Sequence, residues 1–270
     1  MLHFLLIVLA AAAALALLYL FVLVRPQKKP AAASEKLFRH YAHRGYHNEE
    51  VPENSLGAFR RAAELGYGIE LDLQLSSDGT VMVFHDYTVE RMTGHRGKLS
   101  DYTAAELGAM RLKNRAGELT DETIPTLTEV LAAVNGAVPL LVELKGEDLD
   151  TALCPAADAI LQGYDGLYCV ESFYPVLLHW YKKHRKEVLR GQLYTDVFRE
   201  NKPLPHYYLL SLMVLNIMAR PHFIAINRKY RKNLPVRLTT GFFGAEHFTW
   251  TVRSEEERVD GYMIFENIQP

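Results

Sequence analysis

Glu70 and Asp72 sit two residues apart in a run of β-forming residues, Gly68 to Leu75, with Asp78-Gly79 and a second run, Thr80 to Phe84, after it. The second run ends on His85. Asp-Gly between two such runs predicts a two-residue hairpin turn. With Ser77 opposite Thr80, Gln74 meets Val83 and Asp72 meets His85. Period-two geometry then puts Leu71, Leu73, Leu75, Met82 and Phe84 on one face, and Glu70, Asp72, Gln74 and His85 on the other. Two carboxylates on one strand face repel unless something neutralises them. A hard divalent cation, Mg²⁺ or Ca²⁺, suits oxygen donors. The other reading is a solvated outer face, where Glu and Asp need no partner.

Two further segments carry charge in β-rich surroundings. Tyr41-Ala42 runs into His43-Arg44-Gly45, and the apolar run Leu140 to Leu144 is broken by Glu143 and followed by Lys145. Charge at the C-terminal end of a buried parallel strand is expensive as structure, and in a barrel that end is the active-site face. Taken singly, either segment also reads as surface.

The elements that must position these residues alternate along the chain. Strands are expected at Leu37–Ala42, Gly68–Leu75, Thr80–Phe84, Pro139–Leu144, Leu167–Val170, Val188–Leu193, His222–Ile226, Phe248–Val252 and Gly261–Phe265. Helices are expected at Ser55–Leu65, Thr126–Val134, Thr151–Gln162 and Tyr174–Arg185. Alternation of this kind argues for βα units and a parallel sheet, here an α/β fold of the TIM (β/α)8 type. Residues 86–124 break the pattern and read as an insertion after the second strand, with Thr103 in a capping segment for a helix Ala104–Met110.

The N-terminal 24 residues are different in kind. Phe4 to Val24 holds no charged residue, and as a helix its 21 residues approach the hydrocarbon thickness of a bilayer. A cleaved signal peptide would want a basic start and a shorter core, with Ala31-Ala32-Ala33 as the one candidate cleavage site. The anchor reading is preferred: a transmembrane segment over 1–24, a linker over 25–36 and a barrel over 37–270. Arg25, Lys28 and Lys29 directly follow the span, which places the catalytic domain in the cytoplasm by the positive-inside rule. Tyr207–Ala219 is too short to span and is expected as a core helix, the alternative being a lip that dips into the membrane surface. A net charge of −2 gives no basis for nucleic-acid binding, and two cysteines, Cys154 and Cys169, exclude a disulfide scaffold or a thiolate zinc site.

Together these segments resemble the glycerophosphodiester phosphodiesterase family. The set is His43-Arg44-Gly45, Pro52-Glu53-Asn54-Ser55, Glu70-x-Asp72, His85-Asp86 and Glu143-x-Lys145, with Ile124-Pro-Thr-Leu127, Ser172-Phe173, Trp250-Thr-Val252 and Asp260-Gly261 further on. The resemblance implies a TIM barrel with a small insertion after the second strand. It implies Glu70, Asp72 and Glu143 as ligands of one divalent cation, and His43 and His85 as the acid–base pair. Arg44 and Lys145 become phosphate contacts, Phe173 and Trp250 pocket walls, and Glu53 and Asn54 braces of the site. The implied substrate is a glycerophosphodiester; phospholipase C- or D-type hydrolysis of phospholipids or lysophospholipids at the membrane, or a non-catalytic tethered scaffold, are the alternatives. The remaining histidines, His222 among them, are expected at the surface or at strand edges. Two departures stand out. Ser55 replaces the usual Thr, and the C-terminal portion is short, ending Phe265-Glu266-Asn267 where the family often has Thr-Asp. The second leaves the closure of the barrel open.

Overall fold

The computed structural model describes residues 1–29, 35–146, 150–200 and 205–270, the side chains of 205–207 excepted. Its strands are β1 Tyr41–Ala42, β2 Gly68–Leu75, β3 Val81–Val83, β4 Arg111–Lys113, β5 Leu119–Thr123, β6 Leu140–Leu144, β7 Tyr168–Ser172, β8 Arg190–Tyr194, β9 Phe223–Asn227, β10 Glu246–Val252 and β11 Tyr262–Phe265. Eight of them form a closed parallel barrel in the order β1-β2-β6-β7-β8-β9-β10-β11. Closure rests on Tyr41 opposite Ile264 and Ala42 opposite Phe265. The short C-terminal portion therefore does not prevent the ring from closing.

Local sequence explains the surrounding helices. Ser55 Oγ accepts from the Ala58 amide at the start of Leu56–Glu64, and Thr126 and Glu129 form a reciprocal capping box at the start of Leu127–Val134. Pro175 opens Pro175–His184, where its missing N–H costs nothing. Phe59, Leu127 and Tyr181 from these helices, with Leu161 of the helix Leu153–Leu161, pack on Ile69, Leu71, Leu140 and Val142, the outward residues of the strands.

The alternate residues point into the lumen. Tyr41, Leu141, Cys169, Phe223 and Phe248 fill it in one cluster. Gly191 on β8 leaves room for the Phe223 ring: a Cβ there would lie 1.9 Å from a ring carbon. Phe223 is held in turn by Phe248, with ring centroids 5.1 Å apart, so it has little freedom to move aside. Gly191→Ala should therefore cost about 1–3 kcal/mol, the usual range for overpacking. An unchanged urea midpoint would refute this account of the lumen.

Three expectations are corrected. The β2–β3 hairpin pairs Leu73 with Val83, Gln74 with Met82 and Leu75 with Val81, one residue away from the expected register. Ser76 and Thr80 close the loop instead, with Gly79 at φ 79°. The turn thus has three residues and ends on a left-handed glycine. Val81 and Val83 join the Leu71 and Leu73 face, whereas Met82 and Phe84 pack on Leu99, Leu107 and Leu112 of the insertion. The segment expected as a strand from Leu37 begins as a single helical turn, Glu35–Leu37, and only Tyr41–Ala42 pairs. The expected core helix at Tyr207–Ala219 is two short helices, Pro205–Ser211 and Asn216–Ala219, with Leu209, Leu212 and Ile217 exposed.

The insertion folds on its own apolar cluster, with a helix at Ala104–Gly108 and the antiparallel pair β4–β5. At the N terminus, Leu2–Leu23 is one helix of 22 residues, long and apolar enough to cross a membrane, with none of its apolar stretch buried. Its last turns rest on the barrel flank. Tyr19 donates to the Leu212 carbonyl at 2.9 Å, Asn216 to the Val24 carbonyl at 3.0 Å, and Phe21 meets Phe242 and Phe243 edge-on. Val24 is fully buried there against Tyr194, Met213 and Ile224. Part of the expected linker, and with it Ala31 to Ala33, lies outside the described residues.

Candidate active site

β1 delivers the first histidine. The His43 amide donates to the Phe265 carbonyl at 3.0 Å, which prolongs the β1–β11 ladder by one residue. The chain then turns through two left-handed residues, Arg44 at φ 54° and Gly45 at φ 78°. Only glycine fits at the second: a Cβ on Gly45 would lie 2.8 Å from the Ala58 Cβ. The turn aims the Arg44 amide at Glu70, which accepts from it at 2.8 Å. The Arg44 guanidinium reaches Glu53 at 2.7 Å and lies 3.5 Å from Asp72.

The next three strands each add a carboxylate at the same height. Asp72 of β2 is in register with Glu143 of β6, and Glu143 with Glu171 of β7. Glu70 precedes Asp72 by one pleat. All four carboxylates are buried, and ligand oxygens of Glu70, Asp72 and Glu143 lie within 4.8 Å of one another. Lys145 bridges Asp72 and Glu143 at 2.8 Å to each, and Asn54 donates to Asp72 at 2.8 Å.

Burial dominates the electrostatics. It raises the Glu70 carboxyl well above the ordinary range, and repulsion from Asp72, Glu143 and Glu171 adds to the rise. Glu171 is raised in the same way by burial and by Glu143. Asp72 stays ionised against its burial because Lys145, His85 and Arg44 surround it. Lys145 is equally buried, yet its two carboxylates hold its proton more tightly than usual. Four buried carboxylates thus share one pocket with Arg44 and Lys145, and one oxygen of Glu171 has no hydrogen-bond partner. Clustered, undercompensated oxygen donors with an orphaned oxygen among them fit a hard divalent cation.

His43 and His85 both line the hollow, and a carboxylate holds each at Nδ1. Glu266 pairs with His43 and is itself tied to Arg253 at 2.8 Å. Asp86 pairs with His85 at 2.6 Å. Arg91 clamps Asp86 at 2.5 Å and Glu53 at 2.6 Å, so one chain of charge-assisted contacts runs from His85 to Arg44. Against its burial, Arg91 and Arg44 hold the Glu53 carboxyl at about 2. Burial and the Arg44 charge lower His43 to about 4, so it is neutral at pH 7. Gln74 steadies the loop bearing His85 by donating to the carbonyls of Phe84 and Asp86 at 2.8 and 2.9 Å. That loop, not the expected strand pairing with Asp72, brings the imidazole to the site.

The candidate site residues of the sequence converge here. Phe173 and Trp250 form the far wall, edge to face with centroids 5.7 Å apart, and Trp250 donates to the Ala225 carbonyl at 2.9 Å. A hollow of about 150 Å³ holds His43, His85, Glu70, Glu143 and Trp250. A second, about 350 Å³, continues past His85 and Lys145 to Leu193, Val197 and Leu210. Four contributors escaped sequence reasoning: Glu171, Glu266, Arg91 and Arg253. Glu171 repeats the Glu143 pattern on the next strand, which runs two residues past the expected end at Val170, to Ser172. Glu266 stands where the closing motif departs from the family. Neither cysteine takes part, since both are buried free thiols and burial pushes Cys154 up to about 12.

Comparison with known proteins agrees with this geometry. The model of the glycerophosphoryl diester phosphodiesterase family matches residues 43–261. A glycerophosphodiester phosphodiesterase of Caldanaerobacter subterraneus is 46% identical over 95 residues, 34% of this chain and 39% of that protein. Glycerophosphodiester phosphodiesterase 1 of Mus musculus is 34% identical over 160 residues, 55% of this chain and 46% of that protein. The matches thus span less than half the length of these curated relatives. Among solved structures, the Thermotoga maritima glycerophosphodiester phosphodiesterase superposes with a TM-score of 0.61 at 28% identity, over 84% of this chain and 94% of that one. An Oleispira antarctica phosphodiesterase, solved with the product sn-glycerol-3-phosphate, shares the fold with a TM-score of 0.67 at 24% identity, over 85% and 93% of the two chains. The chain belongs to the glycerophosphoryl diester phosphodiesterase family.

Proposed function

We propose that this protein hydrolyses glycerophosphodiesters to a glycerol phosphate and an alcohol, with His43 and His85 moving the protons. The observation that carries the reading is the convergence of two carboxylate-held imidazoles, two cations and an acidic cluster in one hollow at the C-terminal end of the strands. Glu70, Asp72 and Glu143 would hold a divalent cation, Mg²⁺ or Ca²⁺, which when bound draws charge from the phosphoryl oxygens. Arg44 and Lys145 add fixed positive charge toward the same oxygens.

With Nδ1 engaged by Glu266, His43 presents Nε2 to the substrate. It takes the proton of the attacking hydroxyl, which in the two-stage route implied by the family is the glycerol 2-hydroxyl. Attack on phosphorus breaks the bond to the leaving alcohol, and His85, its Nδ1 held by Asp86, protonates that oxygen. Water then opens the cyclic phosphate with the histidine roles reversed. Phe173 and Trp250 shield the reaction from bulk water. Assay of the purified full chain against glycerophosphocholine and glycerophosphoglycerol should show turnover that chelator abolishes and Mg²⁺ or Ca²⁺ restores. No turnover of any diester under these conditions would sink the reading.

A second substrate class is favoured by one feature. Leu193, Val197 and Leu210 give the larger hollow an apolar wall suited to an acyl chain. A lysophospholipid turned over faster than glycerophosphocholine would select it. We further propose that Leu2–Leu23 anchors the protein in a bilayer with the barrel on the cytoplasmic side, supported by Arg25, Lys28 and Lys29 directly after the helix. Carbonate extraction tests the anchor, and protease protection of sealed vesicles tests its orientation.

A further inference from the structure

A basic hollow of about 690 Å³ lies at the other end of the barrel from the histidines. Its walls come from Arg25 and Lys28, just past the N-terminal helix, from Lys182 on Pro175–His184, and from Arg220 and His222, which lead into β9. Arg190, the first residue of β8, sits behind them at 1% exposure. Its Nε donates to the Ala219 carbonyl at 3.0 Å and one Nη to Gln27 at 2.8 Å, while the other Nη has no partner. His222 is 2% exposed. Its Nδ1 accepts from the Arg190 amide at 3.2 Å, which puts the ring proton on Nε2, and Nε2 is also without a partner.

Lys182 and Arg220 meet backbone carbonyls rather than carboxylates. Lys182 donates to the Met218 carbonyl at 2.9 Å and Arg220 to the Arg25 carbonyl at 2.8 Å. Such contacts satisfy N–H groups without neutralising charge. Among the described residues, the ion pairs at this hollow are those of Lys29, with Glu35 at 2.8 Å and Glu246 at 3.5 Å. Burial lowers Arg190 to about 10, and burial together with Arg220 and Arg190 lowers Lys182. Buried cations without a counter-ion are costly. Guanidinium forks and ammonium groups facing one hollow fit a phosphate group, which accepts several charge-assisted hydrogen bonds at once.

We infer that this hollow is a phosphate-binding site separate from the catalytic one, recognised by Arg25, Lys182, Arg220 and His222, with the buried charge of Arg190 behind them. Two sources share that chemistry: the headgroup of an anionic lipid and free phosphate. The lipid source rests on the anchor reading, since Arg25 follows directly on the helix proposed to cross the bilayer and would lie at headgroup level. The hollow itself does not depend on it.

Thermal unfolding of the full chain in neutral detergent micelles tests the site, with phosphatidic acid, phosphatidylcholine or inorganic phosphate added. Phosphatidic acid, a monoester that no diesterase consumes, should raise the Tm of the wild type by several degrees, and phosphatidylcholine should not. Lys182→Gln/Arg220→Gln should lose most of that rise, and Lys182→Arg/Arg220→Lys should keep it. Anion binding in the catalytic hollow is common to all three chains and cancels in the comparison. A rise with inorganic phosphate that the Gln variant loses would identify free phosphate as a ligand and equally supports the site. If the double Gln variant shows no cooperative transition, Arg220→Gln alone is judged by the same criterion. Equal rises in wild type and Gln variant, equal rises with the two lipids, or no rise with either phosphate probe would overturn the inference. Carbonate extraction reads the anchor separately, so failure of the two ideas can be told apart.

Discussion

Replacing His43 with Ala should lower kcat/KM for a glycerophosphodiester by about 10³-fold, in the middle of the range that positioned proton transfer supplies. The loss should fall on kcat. His43 reaches the hollow through one ring nitrogen, while Arg44 and Lys145, the proposed phosphate contacts, stay in place. The fold should survive, because Glu266 keeps its contact with Arg253 and the β1–β11 ladder is made by backbone atoms. Glu266→Gln is the companion variant. It leaves the imidazole present but removes the charge that orients it, so the loss should be smaller and again in kcat with KM unchanged. A His43→Ala enzyme with wild-type turnover would remove His43 from the chemistry. An effect on KM alone would recast it as a binding residue.

The two histidines differ in how readily the sequence exposes them. His43 is legible because His-Arg-Gly ends a short β run, and the left-handed φ at Gly45 needs glycine there. Its partner Glu266 is not legible, since the contact spans almost the whole chain and exists only because β11 lies beside β1. The β2–β3 hairpin makes the same point in reverse. Asp-Gly marks the turn correctly, but a loop one residue longer flips every β3 side chain to the other face. Glu70, Asp72 and His85 do come together, but for a different reason: His85 arrives on a loop that Gln74 braces, not across the sheet. Local signals carry strand identity and chain order well. Register, and the pairing of charges from distant strands, depend on closure of the ring.

Lys145→Met should be the most disruptive single change in the acidic cluster. The ammonium lies 2.8 Å from both Asp72 and Glu143 and is nearly inaccessible to water, so its loss leaves two buried carboxylates facing Glu70 and Glu171 with Arg44 as the nearest cation. Removing one partner of a buried pair costs about 3–5 kcal/mol, chiefly because the other charge is stranded. In chelator the variant should therefore unfold at markedly lower urea than wild type. Adding Mg²⁺ or Ca²⁺ should return part of the difference, because a bound divalent cation neutralises the same oxygens and binding to the folded state alone is stabilising. Activity should stay at least about 10²-fold down even with the cation present, since the fixed charge on the phosphate oxygens is gone. The size of the metal-dependent recovery separates two roles for Lys145. Full recovery of stability with persistent loss of kcat makes it a contact for the reacting phosphate. No recovery with either ion would mean that Glu70, Asp72 and Glu143 are held together by Lys145 and hydrogen bonds alone, and the cation reading of the cluster would fall.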